Sequence, residues 1–289
     1  MKPAPFAYHV PHTLPEAIEL LSLENSKLLA GGQSLVPMLN MRFAVPGNVI
    51  DLNRLTGVSG IRRDGNSIEI GAMTRQCDLE ASSIIAEALP ILSEALPHIG
   101  HFQTRSRGTI GGSLCHLDPS AELPALCLLM DAELTVSGPK GTRAIPAGQW
   151  FEGFMQPALA QDEVLTSIRI PAWEKRHGYG CCEFSRRHGD FAIAGAAALL
   201  NLDSRTRVSR AAITVFGLEF SPRRLLEAEK ALEGSDASQA TFAEAADAVS
   251  RLDAMDDAMA SAKYRRKLGV TLVRRALDMA HQRAKVSGA

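Results

Sequence analysis

The stretch Ala30-Gly31-Gly32-Gln33-Ser34-Leu35-Val36-Pro37-Met38-Leu39 sets the tightest constraint on what this chain can become. It follows a short apolar run, Leu28 to Ala30, that reads as a buried strand end. The two glycines remove β-carbons from a tight turn, so the backbone can take positive φ and approach a ligand closely. Gln33 and Ser34 add side-chain donors, and successive N–H groups in such a turn form a nest for phosphate oxygens. A second stretch, Thr109-Ile110-Gly111-Gly112-Ser113-Leu114, repeats the pattern of a strand-like end, Gly-Gly, a polar residue and Leu. One double glycine means little. Two point to both sides of a diphosphate.

A chain of 289 residues can bury a large core and divides into two or three domains. With 31 Lys and Arg against 32 Asp and Glu, and only 5% aromatic residues, neither charge nor stacking surface argues for nucleic acid. No run of eighteen apolar residues offers a membrane span, and Met1-Lys2-Pro3-Ala4-Pro5-Phe6 has no signal-like apolar region. The expectation is a soluble, cytoplasmic protein. Cys77, Cys115, Cys127, Cys181 and Cys182 are odd in number and lack framework or C-x-x-C spacing, which fits reduced thiols. They also cannot hold an iron–sulfur cluster.

Along the chain, Pro15–Leu21 predicts a short helix capped by Thr13, and Lys27–Ala30 and Val49–Leu52 predict strands of a β-α-β unit. Arg63-Asp64-Gly65-Asn66 turns a hairpin whose second arm alternates through Ser67-Ile68-Glu69-Ile70. Residues 79–99 read as mostly helical with an interruption at Pro90. Asp118-Pro119-Ser120-Ala121-Glu122 reads as a helix start, with Asp118 as cap and Pro119 at the first position. Strands follow at 132–136 and 163–170. The composition shifts across Pro171–Gly178, where a domain boundary is expected. Beyond it, strands at about 181–187, 192–202 and 211–218 and helices at 222–232, 241–250 and 261–285 predict an α+β unit.

Competing chemistries lack their motifs. No G-x-G-x-x-G follows a strand, no G-x-x-x-x-G-K-[ST] is present, and neither serine beside the glycines sits in G-x-S-x-G. Cys115-His116 would be a nucleophile and base only if the two side chains met, which sequence neighbours rarely do. Glu122 has two readings: a cap for its own helix turn, or an acceptor for ribityl or ribose hydroxyls. Arg186-Arg187-His188-Gly189-Asp190-Phe191-Ala192 is a charged turn between strands, or the segment through which Phe191 shields a planar ring. Tyr264-Arg265-Arg266-Lys267 reads as a solvated or partner-facing helix start.

Ala30-Gly31-Gly32-Gln33-Ser34-Leu35, Thr109-Ile110-Gly111-Gly112-Ser113, Asp118-Pro119-Ser120-Ala121-Glu122-Leu123-Pro124, the 186–192 segment and Tyr264-Arg265-Arg266 occur here in order. Together they resemble the FAD-binding medium subunits of molybdenum hydroxylases, the group that includes carbon monoxide, nicotine and xanthine dehydrogenase flavoproteins. The resemblance implies an α+β chain with a vanillyl-alcohol-oxidase-like (PCMH-type) FAD-binding domain over 1–175, in subdomains of about 1–58 and 59–175. It implies a C-terminal domain over 176–289, with a three-stranded antiparallel sheet and a helical bundle.

It further implies FAD held by Gly31, Gly32, Gln33, Ser34, Leu35, Thr109, Ile110, Gly111, Gly112 and Ser113. Ile99, Glu122, Leu165, Asp190 and Phe191 match other family positions at the cofactor, with Glu122 near its hydroxylated chain and Phe191 flanking the ring. The implied partners are a small subunit with two [2Fe–2S] clusters and a large molybdopterin subunit, in a dimer of heterotrimers. No catalytic residue and no metal ligand is expected in this chain. It departs from the pattern at Ser113, where relatives often have Asn, and near Cys182-Glu183, where they often have Lys. The rival expectations are a stand-alone vanillyl-alcohol-oxidase-class flavin oxidoreductase and a non-catalytic assembly protein.

Overall fold

Parallel strands need helical crossovers, and residues 7–51 supply two of them. The computed structural model describes residues 2–174 and 177–288. In it, β1 (Ala7–His9) leads through α1 (Leu14–Leu21) to β2 (Ser26–Leu29), and α2 (Leu35–Met41) leads on to β3 (Asn48–Asp51). The strands form a parallel sheet in the order β1-β3-β2. The Thr13 hydroxyl caps α1 by accepting from the Glu16 N–H, as its position before Leu14-Pro15 predicts. The sequence reading lacked β1. Three residues, two of them exposed, carry too little alternation to be seen.

The second unit runs through β4 (Ile61–Asp64), β5 (Ser67–Gly71) and the short helices α3 (Gln76–Glu80), α4 (Ser83–Ala88) and α5 (Pro90–Ala95). Pro90 opens α5, where its missing N–H costs nothing. Then come α6 (Phe102–Arg107), α7 (Ile110–His116), α8 (Glu122–Leu129), the hairpin β6 (Glu133–Gly138) and β7 (Gly141–Pro146), the small hairpin β8 (Phe151–Gly153) and β9 (Gln156–Pro157), and β10 (Val164–Pro171). β10 is central to a five-stranded sheet, β4-β5-β10-β6-β7. The side chains of Ile68, Ile70, Leu134, Val136, Ile168 and Ile170 on this sheet join the main core with the helices.

The last unit has β11 (Gly178–Phe184), β12 (Ala194–Leu202), β13 (Val208–Phe216) and the two-residue β14 (Arg223–Arg224), paired antiparallel in that order. The expected sheet thus gains a short fourth strand. α9 (Leu226–Leu232), α10 (Gln239–Asp247) and α11 (Ala262–Gly288) complete it. β12 alternates between two cores: Ala194, Ala196, Ala198 and Leu200 pack with the C-terminal helices, whereas Ala197 and Leu199 belong to the main core with Leu123 and Leu126 of α8. α8 is therefore buried along its whole length, which fits its nearly all-apolar sequence. The expected boundary at 175/176 lies outside the described residues.

Two helix starts differ from the sequence reading. The second glycine stretch does not turn out of a strand; it is the first turn of α7, with Thr109 as N-cap. α8 begins at Glu122, four residues after Asp118, because residues 118–121 form a separate turn. Asp118 closes that turn, its carboxylate accepting from the Ser120 N–H at 2.8 Å and its carbonyl from the Ala121 N–H at 2.9 Å.

Candidate functional site

The two glycine stretches meet. A β-carbon on Gly31 would stand 2.2 Å from the Arg107 carbonyl oxygen, and one on Gly112 would stand 3.6 Å from the Ala30 β-carbon. Gly32 has φ +75°, the left-handed conformation a tight turn requires. Where they join, Tyr8, Leu29, Gly31, Gly32, Gln33, Val36, Asp51, Asn53 and Arg107 line a cleft of about 420 Å³. The N–H groups of Gly31, Gly32, Gln33 and Ser34 have no acceptor among the described residues. Four open amides in one turn are what the nest reading of the first stretch requires.

Polar side chains outside the motif hold this turn in place. The Asn53 amide donates to the Ala30 carbonyl at 2.9 Å, and Arg75 donates to Asn53 Oδ1 and to the Arg107 carbonyl. The Tyr8 hydroxyl donates to Asp51, which raises the pKa of the phenol. Sequence reasoning missed Tyr8, Asp51, Asn53, Arg75 and Arg107. They come from separate elements, and no spacing links them.

The second stretch works differently from the nest expected of it. The N–H groups of Ile110 and Gly111 donate to the Thr74 and Ala72 carbonyls at 3.1 and 2.8 Å, and that of Gly112 donates to the Thr109 hydroxyl at 3.0 Å. The Ser113 N–H donates to the Thr109 carbonyl at 3.2 Å. These amides are already engaged. Gly111 is required by packing, since a β-carbon there would lie 2.6 Å from the Ala72 carbonyl oxygen. The stretch is a close-packed helix start that braces the first. Trp150 holds its far end, donating from Nε1 to the Leu114 carbonyl at 2.7 Å.

Beyond α7, a second cleft of about 240 Å³ is lined by Asp118, Pro119, Ser120, Phe154, Phe191, Ile193, Asp257, Met259 and Arg265. Phe191 is 64% exposed, so its ring is free to cover something planar. Arg265 is buried and donates to the Gly217 carbonyl at 2.6 Å, to the Ile193 carbonyl, and to Asp257 at 2.7 Å. It therefore fixes the strand beside Phe191, and the solvated-face reading of that cation is corrected. Asp190 is exposed, 3.9 Å from Arg187, and lines neither cleft. Leu165 lies in the main core, Ser34 and Leu35 open α2, and Ile99 sits at the end of the 3₁₀ turn Leu96–His98, half-buried against the core.

Burial of α8 has an electrostatic consequence at its first residue. Glu122 is 7% exposed, and burial, followed by the charge of Glu183, raises its carboxyl to about 8. Burial likewise raises Glu183, on β11, to about 7. The charge of Glu183 is among the causes that raise Glu122, so each of these buried carboxyls disfavours ionisation of the other. Cys115 offers no nucleophile: burial pushes its thiol up to about 12.

Comparison with known proteins follows this geometry. A family described as the FAD binding domain in molybdopterin dehydrogenase matches residues 4–173. The carbon monoxide dehydrogenase flavoprotein C-terminal domain matches residues 181–280. Subunit alpha of the 6-hydroxypseudooxynicotine dehydrogenase complex of Paenarthrobacter nicotinovorans is 42% identical over 288 residues, covering 99% of this chain and 97% of that protein. The carbon monoxide dehydrogenase medium chain of Hydrogenophaga pseudoflava is 36% identical, covering 98% and 99%. The solved structure of the dehydrogenase from that organism, lacking the Mo-pyranopterin moiety of its molybdenum cofactor, superposes with a TM-score of 0.95 at 37% identity over 98% of this chain and 99% of that one.

Proposed function

Because the chain belongs to the family of FAD-binding domains of molybdopterin dehydrogenases, we propose that it is the flavin-carrying medium subunit of a molybdenum hydroxylase complex. The observation that carries this reading to particular residues is the turn Gly31–Ser34, whose four amides have no acceptor among the described residues and whose Gly31, Gly32 and Gln33 line a cleft where the two glycine stretches join. The residues fit the group. An anion accepting from those amides needs no side-chain charge, and Gln33 adds a donor beside them.

Bound FAD supplies two-electron chemistry, receiving electrons from iron–sulfur clusters of a partner subunit and passing them to an external acceptor. This chain's residues hold and orient it. Gly31, Gly32, Gln33, Ser34 and Leu35 hold the diphosphate end, with the Thr109–Ser113 helix start packed behind them and the Ser113 hydroxyl as a further donor. We assign Ile99 to a cofactor contact, Glu122 to the hydroxylated chain and Phe191 to the flank of the ring; Leu165, in the main core, and Asp190, which lines neither cleft, are assigned to the cofactor on the family likeness alone. Five free cysteines without metal-ligand clustering among the described residues fit a chain that carries no relay of its own.

We divide the chain into FAD-binding subdomains of about 1–58 and 59–175 and a C-terminal domain of 176–289. The assembly is read as a dimer of heterotrimers with a small iron–sulfur subunit and a large molybdopterin subunit. No helix among the described residues is long and apolar enough to cross a membrane, and the free thiols support a cytoplasmic setting. The test is copurification of the chain with both partners, followed by denaturation. About one FAD released per chain supports the reading. A complex that releases no FAD on denaturation and takes none up after incubation with FAD overturns it.

A further inference from the structure

The wall of the second cleft is assembled from segments far apart in the chain. The turn before α8 brings Pro119, the loop before β12 brings Phe191 and Ile193, and the segment before α11 brings Asp257 and Met259. Gly217, just after β13, joins the first two. Its N–H donates to the Pro119 carbonyl at 2.8 Å. At φ +70° it comes so close to the loop that a β-carbon on it would stand 3.0 Å from the Ala192 carbonyl oxygen and 3.1 Å from that of Ile193.

Arg265, in the first turn of α11, ties these segments together from within. Its two terminal nitrogens donate to the Gly217 carbonyl at 2.6 Å, to the Ile193 carbonyl, and to Asp257 at 2.7 Å. Asp257 in turn accepts from the Met259 and Ala260 N–H groups at 2.8 and 3.0 Å. Arg186, in the loop that carries Phe191, donates to the Met259 carbonyl at 3.2 Å. The Arg265 side chain is 3% exposed, and its Nε is buried without a partner among the described residues. As a device for stability this is costly, because an apolar side chain would fill the space without desolvating a cation or orphaning a donor. What an apolar side chain lacks is the rigid fork that reaches acceptors on three segments at once.

From this geometry we propose that Arg265 is the positioning residue of the second cleft: by fixing Ile193, Gly217 and Asp257 against one another it sets the place of Phe191, and with it the fit of a planar ring. The proposal rests on the reading that Phe191 flanks the flavin ring. Arg265 then acts on the ring end of the cofactor alone, since its ties among the described residues reach none of Gly31–Ser34. A wall held in place beforehand adds to affinity by sparing the ordering that a loose one undergoes on binding. Loosening it weakens FAD and leaves untouched a ligand that carries only the diphosphate end, such as ADP.

The experiment uses the complex stripped of flavin and titrated by calorimetry with FAD and with ADP. In Arg265→Lys, which keeps a cation without the fork, FAD affinity should fall several-fold while ADP affinity stays native. Phe191→Ala should give the same split. The double variant should lose no more than the larger single loss, because one residue acts through the other. Arg265→Gln, a planar donor without the charge, should repeat the split and carries the test if the lysine variant is not recovered. Equal loss of FAD and ADP in the Arg265 variants, no loss of either, additive losses in the double variant, or failure of both Arg265 variants to fold overturns the proposal. The cofactor reading is tested separately. Phe191→Ala with native FAD affinity takes the ring out of this cleft and removes reading and proposal together, whereas a loss in Phe191→Ala beside native Arg265 variants removes the proposal alone.

Discussion

At the scale of single residues, Gly31 and Gly32 are adjacent and serve different physical needs. Gly32 holds φ +75°, so Gly32→Ala should cost about 1–2 kcal/mol in backbone strain. Gly31 is limited by space, with the Arg107 carbonyl 2.2 Å from where a β-carbon would go. Gly31→Ala should therefore force the two glycine stretches apart, lowering stability by about 1–3 kcal/mol and flavin occupancy more steeply than Gly32→Ala does. Denaturant unfolding with flavin absorbance on the same samples checks both. Gly111→Val behaves unlike a ligand-side substitution: its clash is with Ala72, so it should reduce soluble yield and not just flavin content. The Glu122–Glu183 pair has its own signature. The folded chain keeps protons that the unfolded chain loses above the ordinary glutamate value of 4.5. Flavin-free stability should thus fall as pH rises from about 4.5 to about 8, by up to ~1.4 kcal/mol per pH unit for each extra proton held. A flat profile between those limits would remove the pair from the interior.

At the scale of elements, α7 is a seven-residue helix kept in place by contacts at both ends. Thr109→Ala removes the cap to Gly112 and should cost about 1 kcal/mol. Trp150→Phe removes the donor to the Leu114 carbonyl and should cost about 1–3 kcal/mol by leaving that carbonyl buried and unpaired. Because α7 braces the first glycine turn, both variants should also weaken FAD retention, measured as flavin lost on gel filtration. Several element positions were legible from sequence because local chemistry governs them: the Thr13 cap, the Asp64–Asn66 hairpin turn, and the interruption at Pro90. The starts of α7 and α8 were not. A strand end and a helix start both suit Thr109-Ile110-Gly111, and only the carbonyls of Ala72 and Thr74 select the helix.

At the scale of the whole molecule, the C-terminal sheet lies against α8 through β12 and β13, so flavin-domain and C-terminal side chains share one core. Polar ties reinforce the junction. Glu94 accepts from Cys181 and pairs with Arg283, and Arg224 donates to the Leu128 carbonyl at 3.0 Å and to Asp131 at 2.9 Å. Glu94→Ala leaves the Cys181 N–H without its acceptor and takes the carboxylate from Arg283, which keeps only the Tyr179 carbonyl. It should lower the thermal midpoint, with protease cutting first in the C-terminal unit. Unchanged melting and cleavage would show that the apolar contact alone holds the units together.

The sequence by itself determined the capped first helix, the Asp64–Asn66 hairpin and the three main strands and helices of the C-terminal unit, the two glycine stretches, the absence of a cluster-binding cysteine pattern, and a family likeness running the length of the chain. Each of these is local, since periodicity, turn chemistry and motif spacing reside in neighbouring residues. Only the tertiary structure decided what the stretches do. The amides of Gly31–Ser34 are open because nothing among the described residues reaches them, whereas those of Ile110–Ser113 are closed because the turn after β5 and Thr109 do. The same holds for Glu183. In the sequence it marks only a departure from the family pattern; in the fold its side chain is 4% exposed and burial raises its carboxyl to about 7, because the energy of a charge is set by what surrounds it.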